Sequence, residues 1–365
     1  MRTLTVDLRM YRHSGIGRYL QNLLPRLLPL LDVDNVRVLC EQQVVGRPKW
    51  LQDHRVKLVE TGAKVYSVSE QLLSLRGAYN GSDLLWVPHY NAPLYYPGLM
   101  VVTIHDMAPL ALPEILNSAV KRKYAKLLIE RAVKQAAAIL SVSEFTAKEL
   151  RERLDVPAKK ITVAHLGIDV DWPNTTQPHS EIDGVPYLLY VGNVKPNKNL
   201  GLLLRAFARV SDLLPYRLLL VGRMEGFGTG DQAAIEKAKK MGNRVRFAGV
   251  VPDKELISLY AGASALVFPS LYEGFGLPLL EAMRFGCPVL CSTATSLPEV
   301  AGDAALYFDP HSEQELADSL LTVRDSAKMM KLRLAGEERI KQFSFQECAE
   351  RSAGVMNRLL EKGRD

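Results

Sequence analysis

The chain has 365 residues, 47% of them hydrophobic and 24% charged, a soluble globular balance that excludes a disordered, collagen-like or disulfide-scaffold protein. Its length exceeds one ordinary hydrophobic core and predicts two domains. No apolar run approaches the roughly 18 residues that cross a bilayer, and the formal net charge of +6 suits phosphates, nucleic acid or an anionic lipid surface.

Short apolar runs ending in Gly, Pro, Ser or Asp alternate with helical stretches, the pattern of parallel sheets wound with helices. The N-terminus is strand-like at once, without an apolar leader or a small-residue cleavage site, which predicts a cytoplasmic protein. Leu4–Leu8 is the first predicted strand. Behind it, Ser14-Gly15-Ile16-Gly17-Arg18-Tyr19 opens a helix. Gly15 and Gly17 would let the backbone approach a phosphate, or make a plain tight turn. The third glycine of a dinucleotide fingerprint is missing, which disfavours an NAD-dependent enzyme.

Strands are predicted next at Val36–Leu39, Val56–Val59, Leu84–Val87 and Val101–Ile104. His105 ends the last of these, where such sheets present functional side chains; the competing reading is a satisfied core histidine. Residues 117–135 read as a long basic amphipathic helix. Its Lys121, Arg122, Lys123 and Lys126 form a solvated face or a weak contact with an anionic membrane surface. Strands at Ala138–Val142 and Ile161–Ala164 complete the first half, with Ser143 a candidate helix N-cap. Residues 169–186, rich in Pro and polar residues without apolar periodicity, read as a linker.

The second half predicts strands at Tyr187–Val191, Arg217–Val221, Val245–Phe247, Ala265–Phe268 and Val289–Cys291. Two such sheets joined by a linker would place a ligand cleft at the carboxyl ends of their strands. In Tyr190-Val-Gly-Asn-Val-Lys-Pro-Asn-Lys198-Asn-Leu the strand ends at Gly192, and Lys198 could neutralise a leaving diphosphate. A solvated lysine is the plain alternative. After Phe268 comes Pro269-Ser-Leu-Tyr-Glu273-Gly-Phe-Gly-Leu-Pro-Leu-Leu-Glu281-Ala-Met-Arg-Phe-Gly-Cys-Pro-Val. Its glycine loop leads into a helix with Pro278 in the first turn, a ready anion site. Carboxylates beside an anion site suit a ligand that also carries hydroxyls, as sugars and ribose do. Otherwise Glu273 caps the helix and Glu281 lies on a solvated face. Residues 345–362 have a helical period and could pack back across the domain boundary.

Cys40, Cys287, Cys291 and Cys348 read as buried small hydrophobes rather than a zinc site or disulfides. Asp32-Val-Asp34 and Asp169-Val-Asp171 match an Asp-x-Asp metal motif but fall outside the inferred cleft, so no metal is expected. No nucleic-acid module appears, and the aromatics do not interleave with basic runs.

Glu273-x7-Glu281 in its Gly-Phe-Gly-Leu-Pro setting, followed by Gly-x-Pro-Val, resembles the retaining glycosyltransferases of the GT-B fold, family 4, along essentially the whole chain. The resemblance implies two facing Rossmann-like, doubly wound α/β domains with a cleft between them: 1–168 for the acceptor, 187–344 for the nucleotide sugar, and 345–365 crossing back. It implies Glu273 on donor-sugar hydroxyls and Glu281 on the ribose. The backbone of Gly274, Phe275, Gly276 and Leu277 would lie against sugar and diphosphate, the Gly15 and Gly17 loop would face the donor phosphate, and His105 and Ser143 would lie near the donor. The family's diphosphate-binding Arg and Lys are matched here by Lys198 alone, because Asn193 and Asn197 stand at the Arg positions. Arg223 and Lys195 are the candidate substitutes.

The resemblance implies a retaining, metal-independent hexosyltransferase with no cofactor beyond its nucleotide-diphosphate sugar. The His-Asp and Pro-x-Lys-Asn strings resemble branches that transfer mannose from GDP-mannose to a glycan or lipid-linked glycan in polysaccharide biosynthesis. A UDP-linked glucose or N-acetylhexosamine is the close alternative. A sugar-nucleotide epimerase and a non-catalytic nucleotide-sugar binder of the same fold also remain. The expected location is the cytoplasm, peripheral at the inner face of the membrane.

Overall fold

A computed structural model of the chain describes all residues except 64, 72–76, 117, 169–171, 173–176, 180–181, 224–231 and 363–365. The fold divides into two units. Met1–Leu110, Ala119–Gly167 and Ser344–Asp365 form the first; Ala111–Ser118 and Ile168–Phe343 form the second.

The first unit is built on seven parallel strands: β1 (Thr3–Asp7), β2 (Asn35–Leu39), β3 (Val56–Val59), β4 (Leu84–Val87), β5 (Leu99–Ile104), β6 (Ala138–Ser141) and β7 (Ile161–Val163). Parallel strands are covered on both faces and need unbroken apolar runs; Leu84-Leu85-Trp86-Val87 is buried at every position. The order is β3-β2-β1-β4-β5-β6-β7, with Leu4 opposite Leu84 where the winding reverses. At such a reversal the loops diverge and leave a crevice at the strands' carboxyl ends.

Helix Ser14–Leu27 buries Leu20, Leu23, Leu24 and Leu27. Behind it, Thr103 Oγ1 accepts from Trp86 Nε1 at 3.0 Å and lies 3.3 Å from Tyr19 OH, so these buried polar groups are paired. The same helix carries Phe345–Lys362 against its other side. Asn357 fixes that packing by donating to the Leu30 carbonyl at 2.9 Å and accepting from the Asp32 amide at 3.0 Å. Gly167 is required here, since a Cβ would sit 2.0 Å from Phe345 N.

The second unit repeats the scheme with six parallel strands: β8 (Tyr187–Val191), β9 (Arg217–Val221), β10 (Val245–Gly249), β11 (Ala265–Phe268), β12 (Val289–Ser292) and β13 (Ala305–Phe308). The order is β10-β9-β8-β11-β12-β13, reversing between β8 and β11. Helix Leu200–Val210 buries seven of its residues, Leu203 and Phe207 among them, in one cluster with Leu188, Leu218 and Val267.

The sequence patterns place twelve of these thirteen strands and omit β13. Its run Ala-Leu-Tyr-Phe lies at the sheet's edge, with Leu306 and Tyr307 half-buried. Gly302 and Pro310 do bracket it, the boundary signal that could have found it. The basic helix spans Ala119–Gln135. All four cysteines are buried and free, and burial pushes Cys40, Cys287 and Cys348 up to about 12. Among the described residues no helix is long and apolar enough to cross a membrane.

Candidate functional site

In the second unit the β8/β11 reversal sets two loops side by side. After β8 the chain turns through Pro196–Lys198 into Asn199, a non-glycine residue at φ 54°. Asn199 holds that conformation by donating Nδ2 to the carbonyls of Pro269 at 3.1 Å and Pro310 at 2.8 Å. Asn197 ties the loop to its neighbour, accepting from the Leu271 amide at 2.8 Å and donating to the Tyr272 carbonyl at 3.3 Å. Asn197 thus fastens the loop where the family carries a cation.

That stitching brings Lys198 Nζ to 2.5 Å from Glu273 Oε1, which Ser270 Oγ also approaches at 2.6 Å. The ammonium sits 5.3 Å from the Phe268 ring centroid, within cation–π range. No described residue donates to the other oxygen of Glu273. The backbone at Glu273 is clamped: its N–H donates to Thr295 Oγ1 at 2.9 Å, and Thr295 and Ser296 hydroxyls donate to its carbonyl at 2.9 and 3.0 Å. Ser296 also donates to the Phe275 carbonyl at 2.9 Å. Gly276 then takes φ 111°, where a Cβ would press Leu297 Cδ2 at 2.8 Å. Helix Leu277–Arg284 starts at once, with no side-chain cap and Pro278 in its first turn. Its positive dipole end therefore lies at the glycine loop.

Glu273 is consequently no helix cap. Nor does Glu281 lie on a solvated face: it is 7% exposed and accepts from Tyr260 OH at 2.8 Å. Gly192 N donates to Val221 at 2.9 Å, and Asn193 Oδ1 accepts from the Arg223 amide at 3.1 Å, joining the ends of β8 and β9. Arg223 is exposed and precedes the undescribed residues 224–231. Gly222, absent from the sequence-derived site, is indispensable there: at φ 138° a Cβ would lie 2.2 Å from Gly192 O. Ser270, Thr295, Ser296 and Tyr260 were likewise missed. Only Ser270, three residues before Glu273, had a signal in the motif.

The first unit holds the remaining predicted residues. Gly17 is forced by packing, since a Cβ would meet the Tyr11 carbonyl at 2.7 Å, whereas Gly15 faces open space. Ser143 caps helix Glu144–Leu154, accepting from the Thr146 amide at 3.1 Å. His105 Nε2 lies 3.0 Å from the Pro88 carbonyl, which can only accept, so the proton is on Nε2. Burial holds this imidazole down at about 4, and it is neutral at pH 7. The Tyr19 ring packs edge-on at 4.8 Å.

Asp32 and Asp34 are committed to Arg2, whose guanidinium pairs with Asp32 and whose amide donates to Asp34 at 2.5 Å. Asp169 and Asp171 lie outside the described residues. Among the described residues no group of three or more His, Cys, Asp or Glu side chains could hold a metal ion. On the basic helix Lys121, Lys123 and Lys126 are exposed, Lys126 3.7 Å from Glu130.

Comparison with known proteins follows the two halves. Residues 14–172 match the model "Glycosyltransferase Family 4" and residues 173–339 "Glycosyl transferases group 1". The chain is 29% identical over 366 residues to O-antigen chain mannosyltransferase B of Escherichia coli, covering 93% of this chain and 94% of that one. It is 28% identical over 246 residues to O-antigen chain mannosyltransferase RfbU of Salmonella typhimurium, covering 67% and 66%. Among solved structures, WaaG, a glycosyltransferase involved in lipopolysaccharide biosynthesis, superposes with a TM-score of 0.73 at 18% identity, covering 97% and 99%.

Proposed function

The chain belongs to the group 1 and family 4 glycosyltransferases and is a GT-B hexosyltransferase, and from that premise we propose that it moves mannose from GDP-mannose onto a glycan or lipid-linked glycan, with retention and without a metal. The observation that carries this reading is the Lys198–Glu273 pair, 2.5 Å apart beside the uncapped helix Leu277–Arg284. The mannosyltransferase relatives support the choice of sugar.

In this mechanism the diphosphate takes Lys198 as its counter-ion, and the glycine-loop amides and helix dipole share the charge that develops as the C1–O bond breaks. Glu273 accepts hydroxyls of the donor sugar. Glu281, buried against Tyr260, binds the ribose. His105 stays neutral and orients the sugar without exchanging protons with it. The departing phosphate oxygen takes the acceptor's hydroxyl proton on the face it leaves, and the acceptor oxygen bonds to C1 from that face. The anomeric configuration is thereby kept.

The test is calorimetric titration with GDP, UDP and ADP in EDTA, followed by transfer assays whose product configuration is read by NMR. Preference for GDP, lost in Glu281→Ala, and an α-linked product from an α-linked donor are expected. Preference for UDP would move the donor to the other nucleotide class, and an inverted product would remove the same-face mechanism.

A further inference from the structure

The loop that carries Glu273 is held by the segment behind it, and that segment is itself strained. Thr295, whose hydroxyl accepts from the Glu273 amide and donates to the Glu273 carbonyl, stands at φ 54°, a left-handed conformation that β-branched residues rarely enter. Such a residue keeps that conformation only where its surroundings enforce it. Ser296, next in the chain, bonds the carbonyls of Glu273 and Phe275. Both lead straight into helix Leu297–Ala301, which has five residues and is too short to hold its own shape.

Arg339 secures that helix from its far end. Its Nε donates to the Val300 carbonyl at 2.9 Å and a terminal nitrogen to the Glu299 carbonyl at 2.5 Å. The last turn of a helix leaves such carbonyls without an intrahelical partner, and a cation is favoured beside them. The other terminal nitrogen bonds Gln342 Oε1 at 2.5 Å. The guanidinium passes so close to Gly302 that a Cβ there would meet its central carbon at 3.2 Å. It also sits 5.1 Å from the centroid of the Phe343 ring. The buried rings of Phe343 and Phe275 meet edge-to-face, 5.7 Å between centroids and 82° between planes. Two routes thus run from Arg339 to one loop: through helix Leu297–Ala301 to the Glu273 backbone, and through Phe343 to Phe275.

We propose that Arg339 is a positioning residue for the transfer reaction, holding the Glu273–Gly276 loop in the conformation that receives the donor sugar. Its own hydrogen bonds end on Glu299, Val300 and Gln342, so it acts through other residues. The planar fork matters as much as the charge. A lysine ammonium cannot bond two successive carbonyls and lie along an aromatic ring at once. The inference rests on the reading of Glu273 as the acceptor of donor-sugar hydroxyls.

The test uses the full chain, with amide hydrogen exchange and calorimetric titration of GDP and GDP-mannose. In Arg339→Ala the amides of residues 273–276 should exchange about tenfold faster, a larger rise than in β11, since local opening is separable from global unfolding. Affinity for GDP-mannose should fall about fivefold, the scale of one weakened hydrogen bond, while that for GDP holds. Arg339→Lys should lie between this variant and wild type. Phe343→Leu should loosen the loop by the second route, and these two carry the test if Arg339→Ala does not fold. The proposal is overturned if loop exchange rises no more than that of β11, or if GDP-mannose affinity does not fall relative to GDP. Glu273→Ala, measured alongside, separates the two readings. If it keeps the wild-type ratio of the two affinities, or if wild type binds neither ligand, the donor reading fails and the exchange arm alone judges Arg339.

Discussion

Lys198 and Glu273 stand 75 positions apart in the chain and meet at 2.5 Å because Asn197 and Asn199 staple the loop after β8 onto the loop after β11. Each neutralises the other, and Ser270 donates to the same carboxylate oxygen. In the proposed mechanism a diphosphate entering the site would compete with Glu273 for the ammonium, and that exchange would leave the carboxylate free to accept sugar hydroxyls.

Lys198→Ala and Glu273→Ala should each lower kcat by about 10²–10³, the scale of removing one preorganised charge from a transition state. The pair is partly exposed, so its loss should cost stability no more than about 1 kcal/mol. Because the two act as a unit, the double variant should be little worse than either single one. Steady-state kinetics with thermal melts checks this. Near-normal turnover in either single variant would refute the assignment.

Gly15 and Gly17 separate packing from ligand approach. Gly17→Ala should lower the melting temperature by several degrees, because its Cβ meets the Tyr11 carbonyl at 2.7 Å. Gly15→Ala meets nothing within 4 Å and should melt like wild type. If this loop faces the donor phosphate, Gly15→Ala still raises the donor KM. An unchanged KM would remove Gly15 from the site.

Tyr260→Phe deletes the hydroxyl that holds Glu281 Oε2 at 2.8 Å. The expected cost is about 1 kcal/mol of stability and a several-fold weaker affinity for GDP, as the carboxylate loses its orientation. Glu281→Ala should lose binding altogether. Equal nucleotide affinity in wild type and Tyr260→Phe would mean that the hydroxyl does not position Glu281 for the ribose.

His105 supplies a pH dependence with a definite sign. Its folded value, near 4, lies below the ordinary 6.5, and burial is the first cause. The unfolded chain therefore binds a proton that the folded chain refuses. The resulting stability is present in full above about pH 6.5 and is lost as the pH falls toward 4, by about 2 kcal/mol at pH 5. His89, pushed down by burial and by its histidine neighbours, adds a loss in the same direction. His105→Asn should flatten the melting-temperature profile between pH 7 and 5; an unchanged profile would place the acid sensitivity elsewhere. Activity, by contrast, should show no limb near pH 6.5 from His105.

Much of the fold is legible in the sequence because parallel strands buried on both faces advertise themselves as apolar runs, as β4 and β11 do. β13 was passed over although Ala305–Phe308 is apolar at every position and lies between Gly302 and Pro310. In the loops after β8 and β11, the string from Pro269 to Arg284 names Glu273 and Glu281, but most of their partners lie elsewhere in the chain. Thr295 and Ser296 look like ordinary turn residues, and only the fold brings their hydroxyls to the Glu273 carbonyl. Asp7 and Asn91 illustrate the same limit. Asp7 ends β1 and Asn91 follows β4, each unremarkable in the sequence, and it takes the β1/β4 pairing to gather them around Arg9 and Glu70.

The close approach of Gly167 to Phe345 bears on how the chain is made. The first unit resumes at Ser344, after nearly the whole second unit has been synthesised. At 5–20 residues per second, the nascent first unit waits on the order of ten seconds with the flank of helix Ser14–Leu27 uncovered. Phe345, Cys348 and Met356 are all buried in the finished protein. Until they emerge, that flank is a place for a chaperone to hold, and a truncation before Ser344 would leave it permanently exposed.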